Sequence, residues 1–385
     1  MSHSKPLRFV AFFQALGFLA VLVLPLAATN FQAGHQRSDS ENRDLNDFPK
    51  WEWTPAAMDA FPSKFEAAFN DHFGFRALFT RWHSLAKVYG LNVSPVEKVT
   101  LGKEGWLFLS ESLKEYRGVK QIKSSSAEGW ARELQVKRAW LAARGIRYLL
   151  VVAPNKEEVY PEYLPDNICR LRERRYLDEI VKKLSPDFRE NIVDLREPLR
   201  QGKKLGLVYD RTDTHWSHLG VFLATNEIVL RLQKWNPELK PAPLDQRPQF
   251  PVLGGGGDLA RMVGLQNQML EERLTVSPEP APYSNGVMRF KQDWPEDSLQ
   301  DPPMVFEGTG RSTVLITGDS FGRGLMEFLP AHCRRVVRLR PDVPYNQWFQ
   351  GLLPGLVEAE KPDIYLDVFC SRGLRNPPKM LFPGR

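Results

Sequence analysis

Two short strings carry residues able to perform nucleophilic chemistry. The first is TVLITGDSFGRG, Thr313 to Gly324. A buried strand that runs into Gly318-Asp319-Ser320, with Gly322 and Gly324 opening a helix, puts a serine at the carboxyl end of a parallel strand. Open α/β sheets bind their ligands there. The helix start offers backbone N–H groups, that of Ser320 among them, to a developing oxyanion. The plainer alternative is a serine that caps a helix. The second string is YDRTDTHWSHLG, Tyr209 to Gly220. A serine hydroxyl is a weak nucleophile at neutral pH and needs a base within hydrogen-bond reach. Histidine suits that task, and a carboxylate on its other nitrogen sets the tautomer and stabilises the imidazolium. Asp213 and His215, two apart in one loop, can make that contact. Two other readings stand beside it: Asp213, His215 and His218 as metal ligands, or a helix-capping Asp213 next to a packed histidine. The chain has seven histidines and no second acid-rich ligand cluster, so no metal and no organic cofactor is expected.

The elements that must position these residues follow from periodicity. Phe61, Phe65, Phe69, Phe73, Leu78, Trp82 and Leu85 recur at helical spacing between Ala57 and Tyr89, which predicts one or two amphipathic helices with the aromatics packed in a core. Trp130 to Arg144 reads as a helix closed by Gly145. Helices are also expected over Arg172 to Leu184, Trp216 to Gln233, from Gly322 onward, and over Trp348 to Glu360. The runs Ile146 to Ala153, Asn191 to Leu195, Thr313 to Ile316, Arg335 to Leu339 and Ile364 to Phe369 read as buried strands. Strands apolar on both faces and alternating with helices predict an α/β fold with a parallel sheet covered on both sides. Residues 240–310 are rich in Pro and Gly, with four glycines from Gly254 to Gly257, and are expected to form a long loop or insertion. Those glycines lack the strand-then-helix setting of a nucleotide fingerprint.

Composition narrows the class. A length of 385 residues, with 42% hydrophobic and 25% charged side chains, supports a large buried core and excludes dominant disorder. The formal net charge of +6 is mild. It suits an anionic polymer, and the absence of an aromatic-studded basic stripe argues against nucleic acid. Three scattered cysteines, Cys169, Cys333 and Cys370, exclude a zinc ribbon and argue against a disulfide framework. They read as buried free thiols, with one bridge as the alternative in an oxidising compartment.

The N-terminus supplies an address. Lys5 and Arg8 precede an apolar run from Phe9 to Ala28, whose twenty residues would span roughly 30 Å as a helix. Positive charge on the N-terminal side keeps that end in the cytoplasm and sends the remainder outward. An uncleaved signal anchor is expected over residues 1–30, a cleaved signal peptide being the alternative. Residues 31–50 read as a polar linker and 51–385 as the catalytic domain.

Together, the two strings resemble the SGNH-hydrolase-like proteins of bacterial exopolysaccharide acetylation, the periplasmic alginate O-acetyltransferase family. There a D-x-H-W string, here Asp213 to Trp216, precedes a G-D-S-F string, here Gly318 to Phe321. Three further segments match: Phe61-Pro62 with Phe65-Glu66 and Asn70 to Arg76; Gly102 to Phe108; and Ala153 to Lys156 with Val159-Tyr160-Pro161. The family's acidic-Arg pair near the end is reduced to Arg372 within Cys370 to Leu374. The chain ends at Arg385, and the carbohydrate-binding domain of some members is expected to be absent.

The resemblance implies an SGNH-hydrolase-like three-layer fold with circularly permuted motif order, behind an N-terminal membrane helix. It implies Ser320 as nucleophile, His215 as base and Asp213 as orienting acid. The expected activity is O-acetyl transfer to an exported polysaccharide through an acetyl-serine, in the periplasm at the inner membrane. A multispanning membrane partner that exports acetyl is implied as well, alongside other exopolysaccharide biosynthesis proteins. An acetyl esterase of the same fold and a non-catalytic polysaccharide-binding scaffold are the rival readings. Asn346 is a candidate for the side-chain donor of an oxyanion hole.

Overall fold

The structure is a computed structural model that describes residues 4–29, 37–38, 43–119, 123–171, 175–244, 249–277, 284–290, 299–341 and 351–375. Two units emerge from it. One comprises Met1–Glu97 with Ala260–Gln266, the other Lys98–Leu259 with Asn267–Arg385.

In the first unit, helix α1 (Ser4–Ala27) carries the apolar run, and its stretch Phe9–Ala27 is long enough to cross a bilayer. Such a helix is that of a signal anchor or a signal peptide. Helix α2 (Pro55–His72) starts where the Thr54 side chain accepts the Ala57 N–H at 3.3 Å. Phe61, Phe65, Phe69 and Phe73 follow at intervals of four; the first three rings stack in series with centroids 5.9 and 6.2 Å apart, and the Phe73 ring lies tilted 5.5 Å from that of Phe69. Helix α3 (Arg76–Leu85) follows. The expectation that these aromatics form a core is not met, since Phe65, Leu78 and Trp82 are exposed. Two helices at an elbow offer no second layer against which both faces could be buried.

The second unit is built on a sheet. In chain order its β-strands are β1 (Val99–Leu101), β2 (Leu107–Leu109), β3 (Arg147–Ala153), β4 (Ile192–Asp194), β5 (Gln249–Gly254), β6 (Glu271–Val276), β7 (Ser284–Asn285), β8 (Leu299–Glu307), β9 (Thr313–Gly318), β10 (Arg335–Pro341) and β11 (Ile364–Cys370). Seven of them form one sheet in the order β4-β3-β11-β9-β10-β8-β7. The first five are parallel, whereas β8 and β7 add antiparallel. The expected wholly parallel sheet is thus corrected at one edge. Strand β8 contains Pro302 and Pro303, which cannot donate to a ladder and obscure a strand in the sequence. Within 240–310, where the sequence suggests a loop or insertion, the described residues include this edge and the β5–β6 hairpin.

Alternation along the strands sorts the core into two faces. Leu149, Val151, Ile316, Leu366 and Val368 point to one side, where helix α4 (His218–Gln233) buries Leu219, Phe222 and Ile228. Tyr148, Leu150, Val152, Leu315 and Tyr365 point to the other, against helix α5 (Ser124–Ala142) and its Trp130, Leu134 and Leu141. Helix α5 ends at Ala142, and the chain turns away through Gly145, whose φ of 74° suits a left-handed terminator. The second face also holds a fully buried ion pair. Lys137 on α5 meets Asp367 at 2.5 Å with both side chains 2% exposed. The remaining acceptor sites of Asp367 take the Tyr148 and Thr317 hydroxyls at 2.8 and 2.9 Å. A buried charge held this completely is stable, and removing one partner would cost about 3–5 kcal/mol.

Candidate active site

The Asp213–His215 segment is a loop closed at its base and fastened along its length. Tyr209 and Trp216 face each other as an isolated antiparallel bridge, and the Ser217 N–H donates to the Val208 carbonyl at 3.0 Å. Ser217 then caps α4, its hydroxyl oxygen accepting the Gly220 N–H at 3.2 Å. Between these ends the backbone makes no ladder, so its polar groups need other partners. Lys156, just past the carboxyl end of β3, supplies several: its ammonium donates to the carbonyls of Asp210, Arg211 and Asp213 at 3.3, 2.9 and 2.7 Å. The ammonium lies 5.5 and 5.2 Å from the ring centroids of Trp106 and Phe108. Burial disfavours its charge and pulls its pKa down to about 8, against the attraction of Asp213 and Asp258. From β6, the Glu271 carboxylate accepts the Arg211 N–H at 2.9 Å and the Thr212 hydroxyl at 2.6 Å.

Asp258 completes the frame. Its carboxylate accepts the Thr214 N–H at 2.7 Å and the Thr214 hydroxyl at 2.5 Å, and its own N–H donates to Asp213 Oδ2 at 3.0 Å. The preceding residue must be glycine, because a Cβ on Gly257 would lie 2.4 Å from Asp213 Oδ2.

The serine is placed differently. Strand β9 ends at Gly318, whose φ of 133° and close approach to the Val368 carbonyl (1.9 Å from an added Cβ) exclude a side chain. The Asp319 N–H donates to that same carbonyl at 3.0 Å, while the Asp319 carboxylate accepts the N–H groups of Phe321 and Cys370 at 2.9 and 2.7 Å. Ser320 therefore opens a helical turn, which is 3-10 over Ser320–Glu327 rather than the α-helix expected from Gly322. As the first residue of that turn, it has an N–H for which the turn itself supplies no carbonyl acceptor.

These two supports bring the candidate residues into one line. His215 Nε2 lies 2.7 Å from Ser320 Oγ, and His215 Nδ1 lies 2.8 Å from Asp213 Oδ1. Asp213 Oδ1 also accepts the His215 backbone N–H at 2.8 Å. Burial pushes the Asp213 carboxyl upward, but the His215 hydrogen bond and charge outweigh it and hold the group well below the usual carboxylate range. Burial likewise favours a neutral His215, yet the Asp213 bond and the charges of Asp213 and Asp258 win and raise its pKa. Phe321 joins the two strings, its ring 5.1 Å from that of Trp216 and 5.2 Å from that of His215. The Arg372 guanidinium lies 5.3 Å from the Phe321 ring and donates to Cys370 Sγ at 3.2 Å.

His218, a candidate ligand in the metal reading, does not join this group; its Nε2 faces Glu327 at 3.4 Å. Among the described residues, the group that could hold an ion is Asp213, His215 and Asp258. Their donor atoms are already engaged: His215 Nδ1 with Asp213, Asp213 with the Asp258 N–H, and Asp258 with Thr214. Asn346 lies outside the described residues. Cys333 and Cys370 are buried thiols, but Cys169 is exposed. Asp258 and the carbonyl clamp of Lys156 were not legible as site features. Their only sequence signals are a glycine run ending in an acid, and a lysine in the Ala153 to Pro161 motif.

Comparison with known proteins gives this geometry its relatives. A family model described as the SGNH hydrolase-like domain of the acetyltransferase AlgX matches residues 99–343, well over half of the chain. The probable alginate O-acetylase AlgJ of Pseudomonas aeruginosa is 33% identical over 169 residues, which span 43% of this chain and 41% of that protein. Its counterpart from Pseudomonas syringae pv. tomato is 27% identical over 84% of this chain and 69% of its own length. Among solved structures, Bacillus cereus PatB1 shares the fold with a TM-score of 0.51 at 15% identity, covering 72% of this chain and 96% of its own. The chain belongs to the SGNH hydrolase-like acetyltransferase family of AlgX and AlgJ, a family of acyltransferases.

Proposed function

We propose that this protein is an O-acetyltransferase that acylates an alginate-like polysaccharide outside the inner membrane, with Ser320, His215 and Asp213 as its catalytic residues. The observation that carries the reading is the unbroken line of hydrogen bonds from Ser320 Oγ through His215 to Asp213. Relatives named as alginate O-acetylases supply the substrate class. The Asp-x-His string ahead of the Gly-Asp-Ser string supports a permuted motif order on a three-layer SGNH-like scaffold.

In the first half-reaction, His215 Nε2 takes the Ser320 proton as Oγ attacks the acetyl carbonyl carbon. The Ser320 N–H at the open end of the helical turn would donate to the oxyanion. The carbon–leaving-group bond then breaks, His215 returns its proton to the departing group, and an acetyl ester remains on Ser320. In the second half-reaction, a sugar hydroxyl gives its proton to His215 and attacks that ester. Ser320 Oγ leaves and recovers the proton. Asp213 keeps Nδ1 protonated and stabilises the imidazolium in both halves. Residues 1–30 act as the anchor and 31–50 as the linker of a catalytic domain over 51–385. A multispanning protein that passes acetyl outward would be the donor's source. One observation favours a second reading: the His215 side chain is 34% exposed, so water can reach the base, and an esterase would use the same residues.

The full chain, supplied with p-nitrophenyl acetate with and without uronate oligosaccharides, tests both. Wild type should release nitrophenol and place acetate on the sugar, and Ser320→Ala should lower release by about 10⁴-fold. Acetate appearing only in water, whatever acceptor is present, would replace the transferase with the esterase. Release that persists in Ser320→Ala would remove Ser320 from the mechanism.

A further inference from the structure

The first unit leaves an apolar helix face uncovered. Leu78 and Phe79 lie four and three positions before Trp82, so these three line one side of α3, and Phe75 is the N-cap ahead of them. Phe75, Leu78, Phe79 and Trp82 are 48%, 46%, 46% and 63% exposed, too open for side chains that ordinarily face a core. From Phe73 to Val96 the chain contains Arg76, Arg81 and Lys87 and no acid. Large apolar residues on one side of a helix, with cations and no acids among its neighbours, are the composition of a helix lying in a membrane interface. Aromatic residues such as Trp82 concentrate at that depth.

Position identifies the occupant. The elbow between α2 and α3 is fastened to the carboxyl end of α1. The Gly74 N–H donates to the Thr29 hydroxyl oxygen at 3.1 Å, and that hydroxyl donates to the Pro25 carbonyl at 2.9 Å. The approach is close enough that a Cβ on Gly74 would lie 2.2 Å from the Pro25 carbonyl oxygen and 2.6 Å from Ala28 Cβ. Phe75 comes next with φ of 63°, a conformation rare for an aromatic residue, and turns the chain into α3 at this junction. The apolar stretch Phe9–Ala27 is 19 residues long, or about 28 Å at the helical rise, which matches a hydrocarbon core. The junction therefore sits where α1 leaves that core. A helix of ten residues starting there extends about 15 Å.

We propose that the Phe75–Trp82 face of α3 lies in the interface of the same bilayer that α1 crosses, making a two-part membrane attachment joined at Gly74. The inference rests on the membrane reading of α1 and is independent of the chemistry at Ser320. A face of this kind could otherwise be covered by a membrane protein, and the test separates the two.

The full chain is reconstituted into nanodiscs of phosphatidylethanolamine and phosphatidylglycerol whose acyl chains carry bromine close to the headgroup. Helix α1 contains no tryptophan, so quenching by bromine reports on other parts of the chain. Brominated lipid should quench part of the tryptophan fluorescence, and Trp82→Phe should abolish most of the quenched fraction. Trp82 is exposed, so this variant should fold as wild type. Protein that co-elutes with the discs but is not quenched, or is quenched equally in Trp82→Phe, would overturn the proposal and assign the face to a protein partner. Protein that fails to co-elute with the discs would overturn it at its premise, without touching the acetyl-transfer reading.

Discussion

The proposed base, His215, and the proposed nucleophile, Ser320, are held by opposite means. The Tyr209–Trp216 loop is irregular backbone held by side chains reaching in from far along the chain: Lys156, Glu271 and Asp258. The Gly318–Phe321 turn is held by the sheet itself, through a glycine that lets Val368 approach and an Asp319 carboxylate that caps two backbone N–H groups. Polar bonds tune the orientation of a titrating ring, and their loss is graded. Steric fit at a strand end is closer to all-or-none.

Substitutions can break this comparison, taken from the largest expected effect down. Asp213→Asn should lower kcat by about 10⁴-fold with the fold retained, because the wrong tautomer is then presented to Ser320. Thermal unfolding alongside steady-state turnover checks both halves of the statement. Gly318→Ala should act through stability instead. An added methyl meets the Val368 carbonyl in a backbone conformation that L-residues avoid, and a loss of about 3 kcal/mol is expected in denaturant unfolding. If Gly318→Ala instead folds normally and loses only activity, the serine turn is not held by steric fit.

Lys156→Met should fold, since its thioether end would lie beside the Trp106 and Phe108 rings that flank the ammonium. It should lose about 10²-fold in kcat, because small displacements of a base cost that much. KM for the acetyl ester should stay near wild type. Unchanged kcat would show that the loop keeps its shape without the clamp.

Acidity sharpens the contrast. His215 accepts a proton only when neutral, and its pKa is raised, first against burial and then by Asp213 and Asp258. Activity should therefore fall with decreasing pH along a limb lying above the ordinary histidine value. Asp258→Asn removes one of the two negative charges and should move that limb toward acid, with a change in kcat of only a few fold. A limb that does not move would remove Asp258 from the electrostatics of the ring. Smallest of all is the effect of chelation. With the donors of Asp213, His215 and Asp258 already engaged, a chelator should leave turnover unchanged, and inhibition reversed by added metal would revive the ion-binding reading.

The same contrast explains what was legible in the sequence. Ser320, His215 and Asp213 could be picked out because chemistry demands those types, and each sits in a short local string. Strands β3, β9, β10 and β11 are readable because burial on both faces leaves them apolar throughout. Asp258 is not readable, since its contribution comes from a glycine-rich stretch with no periodicity, 45 positions from Asp213. Strand β8 is hidden by its prolines, and its Glu307 pairs with the buried Arg335 of β10, which also meets Glu360 at 2.9 Å. Ion pairs of this kind are tertiary facts with no local pattern. The aromatic series from Phe61 to Trp82 misleads in the other direction, because helical spacing shows that a face exists but not what covers it.

The position of β11 has a consequence for the order in which the molecule can be made. It is the last strand along the described chain, yet it lies in the middle of the sheet, pairing with β3 on one side and β9 on the other. Chain delivered from its N-terminus must keep both of those edges unjoined until about residue 370 arrives, and such long-range closure is slow. Unpaired edges are sticky in the interval. The turn that aims Ser320 is pinned by the Val368 carbonyl and the Cys370 N–H, so Ser320 acquires its geometry only when this strand is seated. A nascent or half-delivered chain is thereby kept chemically silent.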